Sequence, residues 1–168
     1  MWKVVVRIGN LRSLNWGYVS IGLLTSVDLV LKFLAKQHLE FGQVVEFIPL
    51  VDLLLVYNSG IAFSMLDFNN NFTAYGLTVF GVVLVFFLNQ MYRNETKLIK
   101  RISMILIISG ALGNIIDRVI DGVVTDFLFF HIGDLSFFIF NGADAFISIG
   151  AALFLLGEVQ DHLSKKVL

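Results

Sequence analysis

The sequence predicts an all-α integral membrane protein with four transmembrane helices. Hydrophobic residues make up 57% of its 168 residues and charged residues only 15%, whereas soluble domains average about 45–50% and about 25%. A single soluble core of this size cannot enclose so much apolar surface, and a disordered chain would contain far less of it. Four separate stretches also reach the roughly 20 mainly apolar residues that a helix needs to cross a bilayer.

The four spans are predicted within a single membrane domain, residues 1–168, at residues 16–36, 72–92, 102–120 and 141–160. The first span contains Asp28 and Lys32, and the second contains no charged residue. The third is apolar as far as Asp117 and Arg118, and the fourth has Asp144 near its start. Basic residues before the first span are typical of a signal peptide. However, the charges within that span and the lack of a small-residue cleavage site after it predict a retained anchor.

The distribution of lysine and arginine predicts the orientation. These residues occur before the first span, between the second and third spans, and after the fourth, whereas residues 37–71 and 119–140 contain none. Lysine and arginine accumulate in cytoplasmic loops. We therefore expect both termini in the cytoplasm and the two acidic connections on the outer side of the membrane.

The two outer connections, residues 37–71 and 121–140, are predicted to form a partly apolar outer platform. The stretch 44–57 is rich in valine, leucine and isoleucine but is too short to span a bilayer as a helix, which favours short strands or a surface-lying segment. The stretch 122–140 contains six phenylalanines among polar residues, a composition typical of the lipid–water interface.

Ionisable residues within a membrane are rare and usually functional. Asp28 and Lys32 lie one helical turn apart in the favourable order for an ion pair, which predicts a neutralised pair that lets the first span insert. Residues 114, 117 and 118 share one helical face. Asp144 follows Asn141 at the spacing of a helix cap. Asp126 lies in an apolar run that offers no lysine or arginine as a partner.

Two acids at the same membrane edge, Asp126 and Asp144, invite the hypothesis of a carboxylate dyad. Two close carboxyls share one proton, so that one activates water as a base and the other acts as an acid. Such a site needs no cofactor. The chain has no cysteine, and its three histidines lack metal-ligand spacing, so no metal is expected. A net charge of −1 argues against a nucleic-acid partner.

Four motifs occur in the order and spacing of one known family. They are Asn58-Ser-Gly60-Ile-Ala62-Phe63, Gly110-Ala-Leu-Gly113-Asn114-Ile-Ile-Asp117-Arg118, Gly122-Val-Val-Thr-Asp126-Phe127 and Phe140-Asn141-Gly-Ala143-Asp144. Together they resemble the N-x-G-x-A-F, G-x-x-G-N-x-x-D-R, G-x-V-x-D-F and F-N-x-A-D motifs of bacterial lipoprotein signal peptidase, also called signal peptidase II. Chain length and the four-span topology agree, so the resemblance covers essentially the whole chain.

The resemblance implies an intramembrane aspartyl endopeptidase that removes the signal peptide from diacylglyceryl-modified prolipoproteins, cutting before the lipidated cysteine. It implies that Asp126 and Asp144 are catalytic. The residues that would bind substrate or support the site are Asn58, Gly60, Asn114, Asp117, Arg118, Asn141 and Asp28. The family's first-span motif, D-Q-x-[ST]-K, keeps its acid and base here but has leucines at both uncharged polar positions.

The same resemblance implies a location and a set of partners. The protein would lie in the bacterial cytoplasmic (inner) membrane, with its site at the outer face beneath a small extracytoplasmic β cradle and a short interfacial helix. Its partners would be prolipoprotein substrates, membrane lipids and globomycin-type inhibitors, with no cofactor and no nucleic acid, and we expect a monomer.

Two other functions stay open at the level of the sequence. A small four-span transporter could use the same acids as a proton relay, and a non-catalytic homologue could bind lipid without turnover. Carrier sites usually lie near the membrane midplane, whereas these acids cluster towards one face. The clustering favours the peptidase.

Overall fold

The computed structural model describes residues 2–60 and 71–166, with side chains over residues 15–60 and 75–164. Its elements, in chain order, are α1 (Trp2–His38), β1 (Val44–Ile48), β2 (Val51–Asn58), α2 (Asn71–Asn94), α3 (Leu98–Asp121), β3 (Val124–Ile132), β4 (Leu135–Phe140) and α4 (Gly142–Lys166). The described part of the outer platform consists of strands and turns. The expected short helix has no counterpart there, and residues 61–70 lie outside the described residues.

The four predicted transmembrane helices are confirmed. The segments long and apolar enough to cross a membrane are Asn15–His38, Tyr75–Asn94, Leu98–Asp121 and Gly142–Ser164. Large apolar side chains on α2 point away from the protein: Phe80, Phe86 and Phe87 are each more than 60% exposed. Side chains of this kind are stable on a surface that faces lipid.

Helix α3 lies at the centre of the bundle and contacts the other three helices. Its approach to α4 depends on Gly110, because a Cβ atom there would lie 2.3 Å from the backbone oxygen of Ala143. Small residues allow such close helix packing in membranes. The middle of α3 and the start of α4 therefore lie side by side.

The outer platform contains a four-stranded antiparallel sheet in the order β1-β2-β3-β4, which confirms the predicted small sheet. The register pairs Val56 of β2 with Asp126 of β3. Asn58 lies two residues after Val56, so its side chain is on the same face of the sheet as that of Asp126. This register places an amide beside a carboxyl.

The sheet is anchored to the outer end of α1 by a small apolar cluster. Ala35 of α1, Leu55 of β2 and Phe127 of β3 form its buried centre. Because Phe127 follows Asp126 on a strand, the two side chains point to opposite faces. Packing of Phe127 against α1 therefore fixes the opposite direction for Asp126.

Candidate active site

Two short connections place Asp126 and Asp144 together. Helix α3 ends at Gly122, whose φ of 76° is the left-handed conformation that glycine adopts most readily. Strand β3 begins two residues later, so it starts beside the end of α3. Strand β4 then returns to Asn141, which precedes the first turn of α4 and Asp144.

Asp126 is buried, and two amide groups satisfy its carboxyl. Asn58 Nδ2 donates to Oδ2 at 2.9 Å, and Asn141 Nδ2 donates to Oδ1 at 2.6 Å. Burial, together with the nearby Asp144 charge, raises the pKa of Asp126 to about 6, even though the two amide hydrogen bonds lower it. The run around Asp126 offers no lysine or arginine, and two asparagine amides take the place of a basic partner. The pKa of Asp126 lies nearer neutrality than that of an ordinary aspartate.

Asn141 links the two carboxyls. Besides its bond to Asp126, its backbone N–H donates to Asp144 Oδ2 at 3.2 Å, and its Oδ1 accepts from the Asp144 N–H at 3.1 Å. These reciprocal bonds form a capping box at the start of α4. The expected cap is thus present, and the same asparagine also holds the other acid.

The cap leaves the second oxygen of Asp144 free for a different partner. Asn114 Nδ2 on α3 donates to Asp144 Oδ1 at 2.9 Å. Asp144 is only half-buried, whereas Asp126 is 3% exposed. The two carboxyls therefore differ in solvation, although both accept hydrogen bonds on both oxygens.

A buried ion pair on α1 lies behind this pair of acids. Asp28 and Lys32 are 0% and 1% exposed, and Asp28 Oδ2 lies 2.9 Å from Lys32 Nζ. Asp28 Oδ1 also accepts from the backbone N–H of Ala143 at 2.7 Å. Room for this carboxyl exists because residue 113 is glycine, where a Cβ atom would lie 2.3 Å from Asp28 Oδ2.

Asp117 connects α3 to the strand that carries Asp126. Its Oδ2 accepts from the backbone N–H of Thr125 at 2.7 Å. Lys32 and Lys36 of α1 each lie 3.6 Å from one of its oxygens. A buried carboxylate with these partners fixes the start of β3 relative to both helices.

Arg118 points towards the loop that follows β2. Its Nη2 donates to the carbonyl oxygen of Gly60 at 2.7 Å, and the Gly60 N–H donates to Asn58 Oδ1 at 2.9 Å. The Nε of Arg118 is buried with no hydrogen-bond partner among the described residues. Arg118 thus supports Asn58, which in turn holds Asp126.

The structure brings all nine predicted site residues into one connected network at one end of the bundle. The sequence interpretation did not include Lys32, Lys36 and Thr125 in that network. A signal for the lysines existed, because residues 28, 32 and 36 repeat every four positions and so share one face of α1. Among the described residues, no group of three His, Cys, Asp or Glu side chains is placed to hold a metal ion.

The arrangement can perform acid–base chemistry at a membrane edge. Two carboxyls linked through one asparagine can share a proton, since both cannot ionise easily at close range. A profile described as signal peptidase (SPase) II matches residues 20–160 of the chain. The chain belongs to the signal peptidase II family. It is therefore a multi-pass membrane protein and a protease, and this family favours the peptidase over the carrier.

Relatives named lipoprotein signal peptidase match most of the chain. The lipoprotein signal peptidase of Bartonella tribocorum is 34% identical over 158 residues, which cover 92% of this chain and 93% of the relative. That of Brucella ovis is 38% identical over 132 residues, covering 79% and 82%.

Two solved structures of bacterial membrane enzymes share the fold. One has a TM-score of 0.81 at 25% identity and covers 90% of this chain and 92% of its own. The other has a TM-score of 0.76 at 25% identity, with coverage of 88% and 94%.

Proposed function

We propose that the chain is an intramembrane aspartyl endopeptidase that removes the signal peptide from diacylglyceryl-modified prolipoproteins and cuts before the lipidated cysteine. Membership of the signal peptidase II family supports removal of signal peptides from prolipoproteins. The aspartyl mechanism rests on one observation: Asn141 joins the carboxyls of Asp126 and Asp144 by hydrogen bonds to both.

In this mechanism the two acids share one proton and take opposite roles. Asp126 is the more buried of the two acids, and burial raises its pKa to about 6, so we assign the shared proton to Asp126. Asp144 accepts a proton from water as the water oxygen attacks the scissile carbonyl carbon, and Asp126 gives its proton to the carbonyl oxygen. When the C–N bond breaks, Asp144 protonates the leaving amine and Asp126 recovers its proton from the tetrahedral intermediate.

A groove beside Asp144 suits a substrate that arrives from the lipid. It has a volume of about 400 Å³ and is lined by Phe138 and Phe140 of β4 and by Ile147 of α4, with the Asp144 side chain in its wall. Apolar walls around one carboxyl can hold an apolar segment while they expose one peptide bond to the acid. A signal peptide has this character.

Replacement of each acid by asparagine tests the mechanism. Asparagine is nearly isosteric with aspartate but cannot exchange the proton, so Asp126→Asn and Asp144→Asn should each abolish cleavage of a diacylated prolipoprotein in a gel-shift assay. The double variant should be little worse than either single variant, because members of one catalytic unit are not additive. Asp134→Asn, in the exposed turn of the same hairpin, is the matched control and should cleave normally.

Two outcomes would overturn parts of this proposal. Substantial cleavage by Asp144→Asn would reduce that residue to a helix cap. Cleavage by Asp126→Asn at the rate of the Asp134→Asn control would remove the aspartyl mechanism altogether.

We also propose that the protein lies in the bacterial inner membrane with its site at the outer face and both termini in the cytoplasm. The chain has no cysteine, so a single introduced cysteine is a unique label. Ser136→Cys, in the outer hairpin, should react with a membrane-impermeant thiol reagent in spheroplasts, whereas Thr96→Cys, between α2 and α3, should not. Reaction at residue 96 alone would reverse the orientation.

The remaining partners follow from the same family likeness. We propose that the enzyme acts as a monomer surrounded by membrane lipids, needs no cofactor, and is blocked by globomycin-type antibiotics that occupy the site. Asparagine is nearly isosteric with aspartate, so Asp126→Asn and Asp144→Asn should still bind such an inhibitor in a direct binding assay. Failure of the inhibitor to compete with a prolipoprotein for binding to Asp144→Asn would argue that it binds elsewhere.

A further inference from the structure

One buried cation at the site takes no part in the proposed chemistry. Lys32 is 1% exposed, and its Nζ lies 2.9 Å from Asp28 Oδ2 and 2.7 Å from Asn114 Oδ1. Removing an ammonium group from water is costly unless it is paired and hydrogen-bonded. Charge balance explains the contact with Asp28. It does not explain the contact with Asn114, which is neutral.

The contact with Asn114 sets the orientation of an amide. An ammonium group has three donors and no acceptor, so Asn114 must turn its carbonyl oxygen towards Lys32. The NH₂ group of Asn114 is then left facing Asp144, to which it donates at 2.9 Å. In the flipped orientation two oxygens would oppose each other at Asp144.

Asp28, the ion-pair partner of Lys32, also helps to hold Asp144, through the backbone of α4. Asp28 accepts a hydrogen bond from the backbone N–H of Ala143, the residue before Asp144, at 2.7 Å. One turn of α1 therefore holds Asp144 through the side chain of Asn114 and through the backbone of α4. Asp28 and Lys32 need each other, since each would otherwise be a buried unpaired charge.

We propose that Lys32 is a positioning residue of the peptidase: it orients the Asn114 amide, which in turn holds Asp144 in place to activate water. This inference rests on the proposed aspartyl mechanism. Among the described residues, Lys32 contacts Asp28, Asn114 and Asp117 and neither proposed catalytic carboxyl. Its removal should therefore lower kcat and leave KM for the substrate nearly unchanged.

A double variant that removes both charges, called the neutral pair, tests whether Lys32 positions Asn114 or only balances the charge of Asp28. Asp28→Asn/Lys32→Met replaces both charges by side chains of similar size, so neither charge is left unpaired. Compared with the wild type, kcat for a diacylated prolipoprotein in detergent should fall about tenfold or more, the loss expected for a hydrogen bond to a charged group. KM should stay within about threefold, and the thermal unfolding transition should be retained.

The matched control makes the same change at the opposite end of the bundle. Lys100 of α3 is 8% exposed and pairs with Glu158 of α4 at 2.5 Å. Lys100→Met/Glu158→Gln also removes a lysine–acid pair, but far from Asn114, and should keep kcat within about twofold of the wild type. Equal losses in both neutral pairs would assign the effect to general destabilisation and overturn the proposal.

A second pair of variants tests whether residue 32 must be a hydrogen-bond donor. Lys32→Arg retains a group that only donates, whereas the amide in Lys32→Gln can present either oxygen or nitrogen to Asn114. Lys32→Arg should therefore keep the larger kcat. The reverse order would overturn the proposal, as would equal kcat in Asp28→Asn/Lys32→Met and the wild type.

Further outcomes distinguish failure of the positioning role from failure of the aspartyl mechanism. Loss of the thermal transition in the neutral pair would also overturn the proposal, because Lys32 would then be needed for the fold itself. Normal cleavage by Asp144→Asn would instead remove the mechanism on which the inference rests. If Asp144→Asn is inactive while the Lys32 variants cleave normally, the positioning role alone fails.

Discussion

The two ends of the helix bundle both carry clustered charges, but the clusters differ in burial and in bonding. The outer cluster comprises Asp28, Lys32, Lys36, Asp117 and Asp121. Its first two members and Asp117 are at most 4% exposed. The inner cluster comprises Lys97, Lys100, Glu158 and Asp161, of which Lys97 is 53% exposed and Glu158 is 51% exposed.

This difference in burial indicates which charged side chains depend on the fold for their partners. Exposed ion pairs contribute little, because water and salt screen them and the side chains lose entropy when they pair. Buried charges are costly unless they are paired and hydrogen-bonded. Asp28 and Asp117 of the outer cluster also accept from the backbone N–H groups of Ala143 and Thr125, which ties α1 to the start of α4 and α3 to β3. In the inner cluster, the charges pair mainly with each other.

The largest difference between the two ends is expected when an arginine at each end of α3 is replaced by lysine and the cleavage rates are compared. Arg118→Lys removes the planar fork whose Nη2 donates to Gly60 at 2.7 Å, and a hydrogen bond of this kind is worth about 1.5–3 kcal/mol. Loss of this bond should lower the thermal midpoint. Because Arg118 supports Asn58 and through it Asp126, we also expect kcat/KM to fall about 10- to 100-fold.

The control for that substitution is Arg101→Lys at the inner end. Arg101 also donates through Nη2, to the hydroxyl of Tyr92 at 2.8 Å, and its guanidinium stacks over that ring. This variant should cleave at the wild-type rate. Equal rates for Arg118→Lys and the wild type would assign Arg118 to a solvated role and break the comparison.

Stability against pH should report the buried acid at the outer end. The pKa of Asp126 is raised from 3.8 to about 6, mainly by burial, so the folded protein binds this proton more tightly than the unfolded chain does. The resulting contribution to stability is fully present below about pH 4 and is lost as the pH rises through 6. Relative to the wild type, Asp126→Asn should therefore gain up to about 3 kcal/mol between pH 4 and pH 7.

Unfolding in detergent at the two pH values measures this gain, with Asp134→Asn as the exposed control that should show none. A separate measurement, the pH dependence of wild-type kcat/KM, should be bell-shaped and report the coupled pair of acids. A constant difference between Asp126→Asn and the wild type across this pH range would contradict the assigned burial effect.

The smallest effect is expected at the inner cluster. Lys97, which pairs with Asp161, is about half exposed, so Lys97→Ala should shift the thermal midpoint by about 2 °C or less and leave cleavage unchanged. Thermal unfolding and the gel-shift assay measure the two quantities. A loss of cleavage in this variant would mean that the two ends of the bundle are coupled after all.

Much of the fold was predictable because it depends on local patterns. The four spans follow from runs of apolar residues. For residues 44–57, β-branched residues in a segment too short to span favoured short strands or a surface-lying segment, and the structure has strands β1 and β2 there. The capping box of Asn141 and Asp144 follows from their spacing alone. Such features are fixed by neighbours in the sequence, so no tertiary contact is needed to infer them.

The sequence by itself determined the membrane class and the strong asymmetry of lysine and arginine. Through the resemblance of four ordered motifs to a known family, it also pointed to the two acids and their asparagines. Only the tertiary structure decided that Asn58 and Asn141 both hold Asp126, and that Lys32 reaches Asn114 across 82 positions of the chain. The physical reason is that these bonds depend on strand register and on the close approach of α1, α3 and α4. Those distances are set by packing, and no local pattern of residues encodes them.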